Sequence, residues 1–220
     1  MAGEYDSDQA ATFPPGVDHV LYASADLQRG MNEIEALLGV RPVPGGRHPQ
    51  YGTHNALVSI GPGTYLEVIA RDPELPPPER GTLVDIPATA DSRLIGWVFR
   101  TDDIQASTAA ANSAGVGLGP ALSGRRTRPD GSEIRWQLSD PYAMPMGGAV
   151  PLLIDWGAST HPSTVAPFGG RLVELRIEHP EADSVHRALS VLGADVPVIA
   201  GDEFRICATI ESKKGLVTLY

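Results

Sequence analysis

Apolar and polar positions change their period along this chain three times, each time in the same order. Val17-Asp18-His19-Val20-Leu21-Tyr22-Ala23-Ser24-Ala25-Asp26-Leu27 opens with an apolar, β-branched stretch and passes into a helical spacing that carries Met31, Ile34, Leu37 and Leu38. Leu94 to Ile104 and Arg171 to Glu181 repeat the opening, and their periodic stretches run to Ala114-Gly115-Val116 and Leu192-Gly193-Ala194. Gly39, Gly115 and Gly193 follow these stretches, 76 and 78 residues apart, and suit left-handed helix ends. Asp26, Asp103 and Asp183 lie near the helix starts, where a carboxylate can cap free N–H groups.

Short strands are expected after each helix. In the first unit they fall around Arg41-Pro42-Val43, His54 to Ile60 and Thr64 to Ala70, with Gly61-Pro62-Gly63 as the turn. In the second they are Leu118 to Ser123, Glu133 to Ser139 and Val150 to Trp156; in the third, Val196 to Ala200, Arg205 to Glu211 and Leu216 to Tyr220. The expectation is an α+β protein of tandem β-α-β-β-β units: a tail over 1–16, paired units over 17–72 and 94–157, and a compressed third unit over 171–220 packed on the rest. The proline-rich 71–90 stretch and 157–170 read as connectors.

Composition narrows the classes. Among 220 residues, 42% hydrophobic and 20% charged positions are ordinary for a globular domain. A net charge of −10 argues against nucleic acid as partner, and no apolar run approaches the roughly 18 residues of a membrane span. The acidic start lacks an apolar core for a signal peptide, so a cytoplasmic location is expected. The lone Cys207 sits in an apolar strand and reads as a buried small hydrophobe. No nucleophile elbow, zinc-protease motif or dinucleotide fingerprint occurs.

Several residues carry candidate chemistry. Glu67 is a carboxylate inside Thr64-Tyr65-Leu66-Glu67-Val68-Ile69-Ala70, where its charge costs stability unless it is partnered. His19 shares a strand face with Val17, Leu21 and Ala23 by alternation. Gly45 to Asn55 reads as a polar, aromatic loop whose His48, His54 and Asn55 can bind substrate oxygens or move a proton. Arg125-Arg126-Thr127-Arg128 precedes a Pro-Asp-Gly turn, and Arg126 and Arg128 can grip an anion. Trp136 and Trp156, with Trp97, can wall an aromatic-friendly pocket. His161, His179 and His186 show no ligand spacing and read as surface or satisfied histidines.

The repeat, together with VDHVLYASADL, LLGVRPVPGGRHPQYGTHNALVSIGPGTYLEVIA, RTRPDGSEIRW and VPLLIDWG, resembles the vicinal oxygen chelate superfamily and, within it, glyoxalase-like domain proteins. The resemblance covers most of residues 17 to 157. It implies curved sheets around a small-molecule cavity, and a divalent ion (Zn, Mn, Fe, Ni or Co) on first-strand and last-strand ligands. His19 and Glu67 match those positions, and Asp155 offers a third ligand. The pattern departs at the equivalents of His19, which are Gly96 and Val173, neither able to coordinate.

The expected function is therefore an enzyme of lyase, isomerase or dioxygenase type, acting on a small oxygen-rich, possibly anionic metabolite. Its chemistry would be metal-assisted or use Glu67 as a general base. The alternative is a non-catalytic binding or sequestering protein of the same fold. The edge left by the short third unit suits a homodimer.

Overall fold

The computed structural model describes residues 16–127 and 131–220. Within them the chain folds as β1 (Val17–Ala23), α1 (Leu27–Leu38), β2 (Val43–His48), β3 (Thr53–Gly61), β4 (Thr64–Arg71), β5 (Arg93–Arg100), α2 (Ile104–Ser113), β6 (Ala121–Thr127), β7 (Glu133–Ser139), β8 (Leu152–Asp155), β9 (Arg171–His179), α3 (Ala182–Leu192), β10 (Val198–Ala200), β11 (Arg205–Ser212) and β12 (Gly215–Leu219). Single 3-10 turns stand at Pro145–Gly148 and Pro162–Thr164.

The first two units form one eight-stranded sheet in the order β2-β3-β4-β1-β5-β8-β7-β6. In each, the first strand pairs in parallel with the last, β1 with β4 and β5 with β8. The two units join where β1 runs antiparallel to β5. The sheet curves until its edge strands meet: Arg126 on β6 donates through Nη1 to the Gly45 carbonyl on β2. The third unit keeps the β-α-β-β-β element order but pairs differently. Its sheet runs β10-β9-β11-β12, so β9 lies parallel to the strand directly after its helix.

Caps at the helix ends follow the residue chemistry. Asp26 accepts from the Arg29 N–H, Asp103 accepts from the Ala106 N–H, and Gly39 and Gly193 take left-handed conformations. The third helix differs. Glu181 is its N-cap without a side-chain bond, and Asp183 lies in the first turn, where its charge still suits the helix dipole. Strand β2 begins two residues later than expected and takes in Gly45-Gly46, which reads locally as a turn. The ladder with β3 slips between Pro44 and Gly46, so one glycine is the extra residue of a bulge.

Alternation then sorts the side chains. Val20, Val58, Ile60, Leu66 and Val68 face Met31, Ile34 and Leu38 of α1 and the inner face of the third unit's sheet. Gly30 lets α1 come close, since a Cβ there would meet Val68 Cγ1 at 2.6 Å. The opposite, concave face carries His19, Leu21, Glu67, Val98, Trp136, Leu152 and Ile154.

Candidate functional site

The concave face encloses a cavity of about 110 Å³. Unit two supplies an apolar wall of Val98, Trp136, Leu138, Leu152, Ile154 and Trp156. Unit one supplies the polar pole: His19 from β1, His48 from β2, Asn55 from β3, and Tyr65 and Glu67 from β4. Leu83 and Val84 of the proline-rich connector close one side, and Arg126 lines the seam.

Three of the polar groups are bonded to one another. Asn55 Nδ2 donates to Glu67 Oε1 at 2.9 Å, which leaves Oε2 facing His19 Nε2 at 3.4 Å. His19 stacks on Tyr65, with ring centroids 4.5 Å apart and 16° between planes. On its other side, His19 Nδ1 lies 2.8 Å from Asp18 Oδ1. Burial would push the Asp18 carboxyl up, but hydrogen bonds from His161 and His19 hold it well below the usual carboxylate range. Burial raises the Tyr65 hydroxyl well above its ordinary value, and the Glu67 charge adds to this. His48 is pushed down to about 4 by burial, partly offset by Glu67, so it is neutral at pH 7. Its Nδ1 lies 3.2 Å from Thr53 Oγ1, and its ring edge meets Trp136.

The expected site residues divide. His19, Glu67, His48, Asn55, Arg126, Trp136 and Trp156 all line the cavity. His54 does not. Alternation turns it to the outer face, half-buried, with Nδ1 3.9 Å from Asp72 Oδ2, in an open cleft of about 1070 Å³ that also holds Arg47 and Glu74. Asp155 is likewise turned away from the cavity by its neighbour Ile154, and its Oδ1 accepts from the Gly157 N–H at 2.8 Å. Arg128 lies outside the described residues. Residue patterns missed Asp18, while His161, read as a surface or satisfied histidine, is partly buried with its ring nitrogens partnered. The signal was an aspartate next to a strand histidine at a point where β1 slips register against β5, which breaks strict alternation.

The donor set does not suit a resident divalent ion. Two groups converge, His19 and Glu67, with Asp18 behind the histidine as ligating histidines often have. Catalytic centres commonly use three protein ligands, and no group of three His, Cys, Asp or Glu is assembled among the described residues. The facing strand offers Gly96, over which Leu21 and Met144 pack.

Paired β-α-β-β-β units thus curve around one cavity. This chain belongs to the glyoxalase-like domain family, whose model matches residues 17–193. Among solved structures it is similar to a hypothetical protein from Staphylococcus aureus, at 16% identity over 92% of this chain and 83% of that one, with a TM-score of 0.61. Weaker likenesses are a methylmalonyl-CoA epimerase variant from Streptomyces coelicolor in complex with 2-nitronate-propionyl-CoA (19% identity, 68% of this chain and 100% of that one, TM-score 0.44) and a 4-hydroxymandelate synthase variant from the same organism (16%, 94% and 62%, TM-score 0.46). No curated protein matches the chain.

Proposed function

We propose that this protein catalyses proton transfer next to a carbonyl in a small, mainly apolar molecule, without a resident metal. The supporting observation is the buried His19–Glu67 pair at the polar pole of an otherwise apolar cavity. The substrate's body packs on Trp136, Leu138, Leu152 and Ile154, and its oxygen-bearing head meets the pole. This lining favours one polar head over an oxygen-rich molecule. Asn55 occupies Oε1 of Glu67, so Oε2 is the oxygen that takes the proton, with His19 Nε2 beside it to receive or return it. Neutral His48 and the Arg126 guanidinium stand near enough to affect the charge that develops on the carbonyl oxygen. Both members of the pair are buried, which limits their contact with water.

The test is a panel of small aromatic and branched aliphatic ketones and 2-oxo acids in D2O, followed by proton NMR for loss of the signal α to the carbonyl. The parent protein should wash out that signal for at least one member. Glu67→Gln and His19→Gln should each slow it by about 10²-fold or more. Wash-out unchanged in both variants would overturn the proposal.

A second reading, a binding protein without chemistry, is favoured by the apolar wall that replaces further donors around Gly96. Tight binding of a panel member with no wash-out would favour it. The metal question has its own check. After incubation with Zn, Mn, Fe, Ni or Co and desalting, the protein should retain well under one equivalent by elemental analysis. One equivalent held by the parent and lost in His19→Ala would reverse that conclusion.

A further inference from the structure

Asp18 lines no part of the cavity, yet four side chains from four segments converge on its fully buried carboxylate. Oδ1 meets His19 Nδ1 at 2.8 Å, and Oδ2 receives Arg100 Nε at 2.9 Å and Trp156 Nε1 at 3.0 Å, with His161 Nε2 at 3.1 Å. The proton positions can be deduced. Guanidinium and indole nitrogens only donate. His161 Nε2 faces Asp18 Oδ2, and its Nδ1 faces Ser163 through the backbone N–H at 3.2 Å and Oγ at 2.8 Å. Arg100 Nη2, which also lies near His161 Nε2, donates to the Gly63 carbonyl. Oδ2 is thus surrounded by donors, and Oδ1 is left to accept from His19 Nδ1.

We propose that Asp18 is a positioning residue. By accepting a hydrogen bond from the Nδ1–H of His19, it fixes Nε2 as the nitrogen that faces Glu67 and the cavity. Arg100, Trp156 and His161 hold Asp18 in that role. The inference rests on reading His19 and Glu67 as the reacting pair, but its test does not need a substrate.

Asp18→Asn should reverse the arrangement without changing its shape. The amide has one accepting end and one donating end. Arg100 Nε and Trp156 Nε1, which only donate, hold the Oδ2 side, so the amide oxygen turns to them and the NH2 group turns to His19. Nδ1 must then accept, and the ring proton moves to Nε2, where it points permanently at Glu67.

Long-range proton–nitrogen correlation spectra of the 15N-labelled full chain read this directly, with His19 assigned by its absence in His19→Gln. The parent should show a protonated Nδ1. Asp18→Asn should show an unprotonated Nδ1 and a protonated Nε2, and Glu67→Gln should leave Nδ1 protonated. An unprotonated Nδ1 in the parent would overturn the proposal even if Asp18→Asn fails to fold. An unchanged His19 in a folded Asp18→Asn would also overturn it, leaving Asp18 as a purely structural anchor. The D2O wash-out tests Glu67 separately, so the two ideas can fail independently.

Discussion

At His48, the imidazole is enclosed by Tyr51, Thr53 and Trp136, and burial keeps it neutral with its pKa pushed down to about 4. Glu67, Arg126, His54 and His19 are the charged or titratable groups that act on it. An unfolded histidine titrates near 6.5, so between about pH 6.5 and 4 the unfolded chain binds a proton that the folded one refuses. Stability should therefore fall with pH across that window, by up to about 3 kcal/mol. Urea midpoints at pH 7 and pH 4.5 measure the loss, which should shrink in His48→Gln. Gly124 is a second sensitive position, because a Cβ there would strike the Trp136 indole at 2.3 Å. Gly124→Ala should cost about 1–3 kcal/mol in denaturant titration and shift the tryptophan emission. At this scale, residue patterning picked out Glu67 as a charge within an apolar strand. Asp18 was not legible, because adjacent strand residues are expected on opposite faces and only the bulge brings it to His19. His54 and Asp155 were misplaced for the converse reason, since alternation sends each of them to the outer face.

The helices and most strands were readable as elements, because the hydrophobic period and the capping residues agree. The connector after β4 was readable only as proline-rich and irregular, since nothing local says what a chain without regular hydrogen bonds will pack against. In the fold it crosses the cavity. Its Leu83 N–H bonds the Tyr51 carbonyl at 3.0 Å, and Leu83 and Val84 reach the cavity. A latch ties it to the segment after β7. Arg80 makes two 2.9 Å bonds to Asp140 and lies 4.2 Å over the Tyr142 ring, and the Tyr142 hydroxyl donates to the Gly81 carbonyl at 2.8 Å. The Arg80 side chain is half exposed, so water screens the pair and it contributes little to global stability. Arg80→Ala should thus leave the melting temperature nearly unchanged while increasing acrylamide quenching of tryptophan fluorescence. Trp136 and Trp156 line the cavity behind the connector, whereas Trp97 is buried in the core. Unchanged quenching would mean that the connector stays closed without its latch.

For the whole molecule, the repeat spacing made the tandem architecture legible, and the family match agrees with it. Spacing could not show how strands pair. The third unit repeats the element order, but β9 pairs with β10 and β11, so its sheet is built differently from the two that enclose the cavity. That sheet covers the convex face, and its Leu172, Leu175, Ile177 and Ile210 join the same core as α1. Removing it would uncover that core, so a chain ending before β9 should aggregate or unfold when tested by light scattering and circular dichroism.

Where β2 and β6 meet, the Arg126 side chain fastens the eight-stranded wall, and among the described residues the two strands form no backbone ladder. In mechanical terms, it is a ring with a pin through its split and not a welded hoop. A ladder opens only by breaking many bonds together, whereas a side-chain fastening can be removed by one substitution. Arg126→Ala should therefore loosen the ring at its split while every strand keeps its neighbours, read as faster amide exchange in β2 and β6 than in β1 and β4.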